Sequence, residues 1–523
     1  MPPDPDDLSL DRRTLLKGLA AVGVGAGAGG GIAAGLGLAG CGRRAPAIAR
    51  PDLIRAENEK AGTTDWILAN TRVAPGTRFR CPWIEGYCSR TSLRGGERLA
   101  IMVSTDPPSP FVIDIYRMGW YGGKGGRHVM RLGPFQGEAQ PMPEVGPERV
   151  RDCRWAPAAE ITIPEDPTAW PSGVYLGKLT AQRDGMQSYV VFIVRDDRPC
   201  DILFQCSDNT WAAYNRWPDH YSLYDNGHKV WYWGPDVRVS WNRPYGKYCQ
   251  LLDAPLSQGS GEFLLWELPA AFWMEQHGFD VSYIGNVDTH ADPANLLRTR
   301  LWLSVGHDEY WSRDMHRNVT AARDAGVNLA FLSGNACYGV VDYHADAAGR
   351  ELRAIRRIGQ YGPIDPRVVA DGFTELLQLQ HNGPDESQLI GARTGYPLTG
   401  GADWTCTRAR HWIFEHTRMR DGDSIPGLVG WEWHGNAAPI PGLEVVAEGP
   451  IRRWGGNPTY TATVYPGPKG NFVFNGATCW WSDGLSAPPA YQHPAYKDAH
   501  PRGPDPRVQR ITANLIRRAT RAI

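Results

Sequence analysis

In Leu301-Trp302-Leu303-Ser304-Val305-Gly306-His307-Asp308-Glu309-Tyr310-Trp311-Ser312, an apolar run of strand length ends abruptly in a polar rim. Residues 312–325 then have helical length and stop at Gly326, as helices ending in a left-handed residue do. Residues 327–332 are apolar again and end in Ser333-Gly334-Asn335. Strand, helix and strand in this order imply a parallel sheet with helices on both faces. The pattern extends outward: residues 202–205 and 281–284 read as strands, 262–277 as a helix stopped by Gly278, 471–475 as a late strand and 508–518 as a closing helix.

Upstream the period changes. Leu99, Ile101 and Val103 alternate with Ala100, Met102 and Ser104, and strand-like runs recur at 111–117, 160–163, 174–179 and 188–194 between Gly- and Pro-rich turns. Short strands without helical period predict an Ig-like β-sandwich over residues 58–198, with Asp196-Asp197-Arg198-Pro199 as its exit. The expected class is multidomain α+β: this sandwich, then an α/β domain with a mostly parallel, Rossmann-like sheet over residues 199–523.

Residues 1–41 read as an export signal. Arg12-Arg13 precede a Gly- and Ala-rich apolar run, and Leu38-Ala39-Gly40-Cys41 resembles a bacterial lipobox whose cysteine is lipidated. The expectation is export by the twin-arginine route and a lipid anchor at Cys41 on the outer face of the cytoplasmic membrane, followed by a tether over residues 42–57. The competing reading is an uncleaved transmembrane anchor. Export by this route favours a protein that is already folded, with a metal or cofactor loaded.

The charge is balanced, 55 Lys and Arg against 56 Asp and Glu, which argues against a nucleic-acid partner. Nine cysteines follow Cys41 without a CxxC pair, so a zinc cluster is not expected; Cys81 and Cys88 are close enough in sequence to bridge. Trp and Tyr number 21 each, enough to fill cores and line a cleft.

Ligands of an open parallel sheet gather beyond the carboxyl ends of its strands. Four such ends carry polar groups: Ser207-Asp208-Asn209-Thr210 leading to Tyr214, Asn286-Val287-Asp288, His307-Asp308-Glu309, and Ser333-Gly334-Asn335. His307 and Glu309 are two residues apart, so both can face one cleft. Alone, His307 reads as a loop histidine, Glu309 as a carboxylate at a helix start, and Asn335 as a turn residue.

Residues 204–216, Ser240-Trp241-Asn242-Arg243-Pro244-Tyr245, residues 306–311 and Ser333-Gly334-Asn335 resemble the large (beta) subunit of N,N-dimethylformamidase, in its C-terminal region. Tyr116-Arg117-Met118-Gly119-Trp120-Tyr121-Gly122-Gly123 and Ser172-Gly173-Val174-Tyr175 fit the same family, and the resemblance spans roughly residues 60–485. It implies a glutamine-amidotransferase-like α/β domain hosting mononuclear ferric iron. The metal ligands it implies are Tyr214, a second tyrosine at Tyr245 or Tyr248, and Glu309, with His307 and Asn335 beside them. Two phenolates and a carboxylate are hard donors suited to a ferric ion, which would polarise an amide carbonyl and acidify bound water. His307 would then move protons and Asn335 hydrogen-bond the substrate. The implied activity is hydrolysis of a C–N bond in a small amide substrate, and a small partner subunit or a homo-oligomer is compatible with the family.

Two rival readings stand beside it. Asn335-Ala336-Cys337-Tyr338-Gly339 loosely resembles a nucleophile elbow with Cys337 at its tip and His307 as base. The Trp-rich loops Trp431-Glu432-Trp433-His434-Gly435 and Cys479-Trp480-Trp481 would suit a non-catalytic carbohydrate- or ligand-binding protein.

Overall fold

The computed structural model describes residues 49–520 except 75, 77, 78, 230, 247–257, 381, 397–399, 453–457 and 493–501. The export signal with Cys41, residues 42–48 of the expected tether, Tyr248 and Cys249 lie outside the described residues. No described helix is long and apolar enough to cross a membrane. The chain is α+β, with 22% helix and 34% strand in several sheets.

Strands are numbered along the chain. β1 (Glu85–Cys88), β3 (Arg98–Ser104) and β6 (Pro157–Thr162) form one antiparallel sheet. β2 (Ser92–Leu93), β4 (Ser109–Met118), β5 (Gly126–Gly137), β7 (Gly173–Ala181) and β8 (Gln187–Val194) form a second, ordered β2-β8-β7-β4-β5. The two sheets share a core: Leu99, Ile101 and Val103 pack with Ile113, Ile115, Tyr175 and Phe192. The opposite face of the five-stranded sheet is also apolar. Tyr116, Val174, Leu176 and Val191 join a cluster with Ile202, Phe204 and Leu268. Strict alternation along β7 thus serves two cores, Tyr175 in one and its neighbours in the other.

The central sheet contains β9 (Cys200–Cys206), β11 (Val281–Gly285), β12 (Thr299–Gly306), β14 (Asn328–Ser333), β21 (Glu444–Pro450), β22 (Thr459–Pro466) and β23 (Phe472–Asn475). Its order is β11-β9-β12-β14-β23-β22-β21; the first five run parallel, and β22 and β21 are antiparallel. Helices α1 (Asp208–Tyr214), α2 (Leu268–Gln276), α3 (Arg313–Ala325) and α4 (Pro506–Thr520) accompany it. Ala270 and Met274 of α2 and Ile511 and Leu515 of α4 pack with Leu301, Leu303 and Val305. Met315 and Val319 of α3 pack with Trp302, Leu329 and Phe331 on the other face. Each fully buried side chain of this kind contributes about 1.5–3 kcal/mol. The start of α3 is fixed by Ser312, whose Oγ accepts from Met315 N at 3.1 Å, and its end by Gly326 at φ +111°.

A four-stranded sheet, β10 (Arg238–Ser240), β16 (Ala354–Gln360), β15 (Gly339–His344) and β13 (Tyr310–Ser312), sits beyond the strand ends. Two ribbons, β17 (Ala392–Thr394) with β20 (His434–Ala437) and β18 (Gly400–Thr405) with β19 (Ser424–Trp431), complete the strands.

Several expectations are corrected. The helix expected over 262–277 is two pieces, Phe263–Trp266 and α2, separated at Glu267, because Pro269 near the start of α2 donates no backbone hydrogen bond. The expected tether ends in a helix, Leu53–Asn58, whose Asn58 Nδ2 donates to Glu275 Oε2 at 2.7 Å. Cys81 and Cys88 do not bridge; both are free buried thiols, like the other described cysteines.

Candidate active site

Gly306, at φ +71°, turns the chain out of β12, and any Cβ there would come within 2.6 Å of Trp266 Cβ. The next three side chains diverge. Asp308 turns inward, accepting from Gln205 Nε2 at 2.6 Å, Asn286 Nδ2 at 2.9 Å and Ser304 Oγ at 2.9 Å, and so ties the ends of neighbouring strands together. His307 and Glu309 face the opposite way, into one buried cluster. The Glu309 amide donates to Thr210 Oγ1 at 3.0 Å, which fixes it against α1.

Glu309 is the hub. Tyr214, the last residue of α1, donates its hydroxyl to Glu309 Oε2 at 2.6 Å. Tyr224 donates to Glu309 Oε1 at 3.0 Å, and the two phenol oxygens are 3.0 Å apart. Tyr310 bonds Tyr224 through its own hydroxyl. On the other side, His307 Nε2 lies 3.4 Å from Glu309 Oε2 and 2.5 Å from Glu432 Oε2. Asn335 Nδ2 donates to Glu432 Oε2 at 2.7 Å, while Asn335 Oδ1 is buried without a hydrogen-bond partner. Gly334 lets this approach happen, since a Cβ there would fall 2.2 Å from the Glu432 carbonyl oxygen. His434 locks the same corner: its Nδ1 pairs with Asn475 Oδ1 at 2.7 Å, and its Nε2 accepts from Ala336 N at 3.1 Å. Trp266 and Trp431 stand over the His307 ring at 5.9 and 6.5 Å between centroids.

Burial sets the charges. It raises the phenols of Tyr214, Tyr224 and Tyr310 well above the ordinary tyrosine value, and the Glu309 carboxylate raises them further. Burial likewise raises Glu309, against the pull of His307 and the phenol donors. Burial alone would lower His307, but Glu432 and Glu309 hold it above its usual range. The ligand atoms of His307, Glu309 and Glu432 lie within 4.8 Å of one another, a group that could hold a metal ion. With three phenols around one carboxylate and the unpartnered Asn335 Oδ1, this donor set fits a hard cation of high charge.

Four of the residues singled out from the sequence, Tyr214, His307, Glu309 and Asn335, therefore meet at one place. Tyr245 is placed differently. It is half-buried and borders a narrow cavity with Trp211, Trp241 and Arg243, and the hydroxyl sharing Glu309 with Tyr214 is that of Tyr224. Chain path explains the exchange: Leu223 N donates to Ala213 O at 2.8 Å, folding the segment after α1 back beside it and bringing Tyr224 alongside Tyr214. Sequence reasoning also missed Tyr310 and Glu432, although both stood within quoted motifs, one in the polar rim after a strand and the other in a Trp-rich loop.

The rival sites fare differently. Cys337 is buried among Trp311, Phe331, Val340 and Tyr361, and burial raises its thiol well above the ordinary value, which disfavours the thiolate. Trp433, Trp480 and Trp481 are fully buried, so they present no surface for stacking a sugar.

None of the curated proteins matches the chain. Residues 112–497, which include every member of the cluster, match the family described as N,N-dimethylformamidase beta subunit-like, C-terminal. The match covers most of the chain, and the protein belongs to the N,N-dimethylformamidase beta subunit-like family.

Proposed function

We propose that the protein is a metal-dependent hydrolase of small amides, with a ferric ion held by Tyr214, Tyr224 and Glu309. One observation carries this reading: two tyrosine hydroxyls occupy the two oxygens of one buried carboxylate, with a histidine and a second carboxylate beside them. Hydrogen-bonded phenols at a carboxylate are already arranged as hard oxygen donors. When bound, the ion would supply Lewis acidity, polarising an amide carbonyl and making water a nucleophile near neutral pH.

The chain's own groups do the rest. Glu432 and His307 form a short pair that can take a proton from attacking water and return one to the departing amine. Asn335 keeps Glu432 aimed at His307 Nε2. Trp266, Trp431 and Tyr214 surround the histidine and exclude bulk water, which strengthens every charge interaction inside. The test is metal analysis of the purified protein, its visible spectrum, and release of amine from small N-alkyl amides. Stoichiometric iron with amine release supports the reading; a chain that binds iron but releases no amine from any of them overturns the hydrolase.

The wider reading keeps an Ig-like sandwich and an amidotransferase-like α/β domain divided near Asp197. It also keeps export by the twin-arginine route with a lipid anchor at Cys41. The family's beta-subunit designation supports a small partner subunit or self-assembly.

A further inference from the structure

Behind the phenol cluster lies a cation with no conventional partner. Arg357, on β16 opposite Val341, is almost wholly buried. Its Nη2 donates to the carbonyl oxygens of Tyr232 and Gly234 at 3.1 and 3.3 Å, and its Nε is buried without a hydrogen-bond partner. The carbon of its guanidinium stands 5.0 Å from the centroid of the Tyr224 ring. Two other buried arginines of the fold are paired with carboxylates: Arg117 with Glu275 at 2.9 Å, Arg198 with Asp280 at 2.5 Å. Among the described residues, Arg357 has no carboxylate at such a distance. Burying a guanidinium without a carboxylate is costly, and negative charge facing it from elsewhere would offset that cost.

We propose that Arg357 is the counter-cation of the metal-binding phenol cluster, offsetting through the Tyr224 ring the negative charge that Tyr224 and Glu309 carry as ligands. It is a positioning residue, which rests on the metal reading above. A second buried arginine on the same strand is a natural control. Arg353 also lacks a carboxylate bridge, bonding Asn242 Oδ1 and the Cys88 carbonyl, and burial pushes it down to about 10. The two arginines thus differ in setting: the Arg357 guanidinium stands over the ring of Tyr224, whose hydroxyl reaches Glu309, while Arg353 is held by the Asn242 amide and a backbone carbonyl.

A positive charge over the ring stabilises the ring's filled orbitals. Removing it should lower the energy of a tyrosinate-to-iron charge-transfer transition. The experiment compares ferric-loaded wild type, Arg357→Lys and Arg357→Met by iron content, visible absorption and resonance Raman. At equal iron content, the Arg357→Met band should move to longer wavelength by on the order of tens of nanometres, from a unit charge at this distance in a partly polar interior. Arg357→Lys should stay near wild type. Coincident bands, or equal displacement of both variants, overturn the charge role and leave only a packing one. If Arg357→Met does not fold, Arg357→Gln makes the same comparison. A wild type that binds iron but shows no tyrosinate band overturns this proposal and leaves the metal standing; a wild type that binds no iron overturns both.

Discussion

Tyr214 and Glu309, 95 residues apart in sequence, are joined by a hydrogen bond of 2.6 Å at the base of a buried cluster. Because Glu309 also receives Tyr224, removing its charge should dismantle the donor set. Glu309→Gln is expected to lose most bound metal and nearly all turnover, and Tyr224→Phe to weaken metal binding and bleach the visible band. Tyr245→Phe should keep both. Metal content and absorption of the three variants decide between Tyr224 and Tyr245.

His307 sits between two carboxylates but is not needed to complete the phenol–carboxylate set. His307→Ala should retain the metal and lose about 10²–10⁴-fold in turnover, the usual scale for a general acid–base group. Loss of metal in parallel with rate would instead make His307 a ligand.

Acid should destabilise the fold through a histidine far from this chemistry. His316, on α3, stacks on Tyr361 at 5.4 Å with Nε2 unpartnered, and burial pushes it down to about 4 from 6.5. Below about pH 6.5 the unfolded chain takes up a proton that the folded chain refuses until about pH 4. Stability is therefore full above this window and falls by up to about 1.4 kcal/mol per pH unit as the pH drops through it. Denaturant midpoints measured from pH 7 to 4.5 should show this slope, and His316→Phe should make it shallower without abolishing it, because burial also pushes His434 down to about 4.

Arg117 and Glu275 link the five-stranded sheet to α2 through two hydrogen bonds of 2.9 Å, with both side chains fully buried. Glu275 also holds Asn58 and Tyr283. Glu275→Gln strands a guanidinium in the interior and should cost about 3–5 kcal/mol in urea unfolding. A change below 1 kcal/mol would show that the network relaxes around the loss.

Cys41→Ala tests the anchor. If the lipobox is used, this variant should be misprocessed or released from the membrane fraction, whereas unchanged processing and retention would remove the lipid anchor from the account.

The parts of the fold legible in sequence were those built on local signals. β9, β11, β12 and β14 are apolar runs bounded by glycine or polar residues, and α3 carries its own cap and its own stop. The stretch holding β15 to β22 gave no such reading, because its short strands are specified by partners far along the chain, as β17 is by β20. The site divides in the same way. His307, Glu309 and Asn335 follow directly from strand ends. Tyr224 lies in a segment without period, placed only when Leu223 bonds back to Ala213. Glu432 arrives between β19 and β20, where the flanking tryptophans masked the carboxylate between them.

The separation of these residues along the chain has a consequence for timing. Tyr214 and Tyr224 are synthesised early, Glu432 some 200 residues later, and the strand that braces His434, β23, later still. Until that strand docks, the pieces of the cluster are held apart by chain entropy, and no ion finds a finished cage. If the cluster takes up an ion as proposed, capture would follow folding and be governed by the ion pool of whichever compartment the chain folds in. A protein moved across a membrane already folded would carry that first compartment's choice of metal with it.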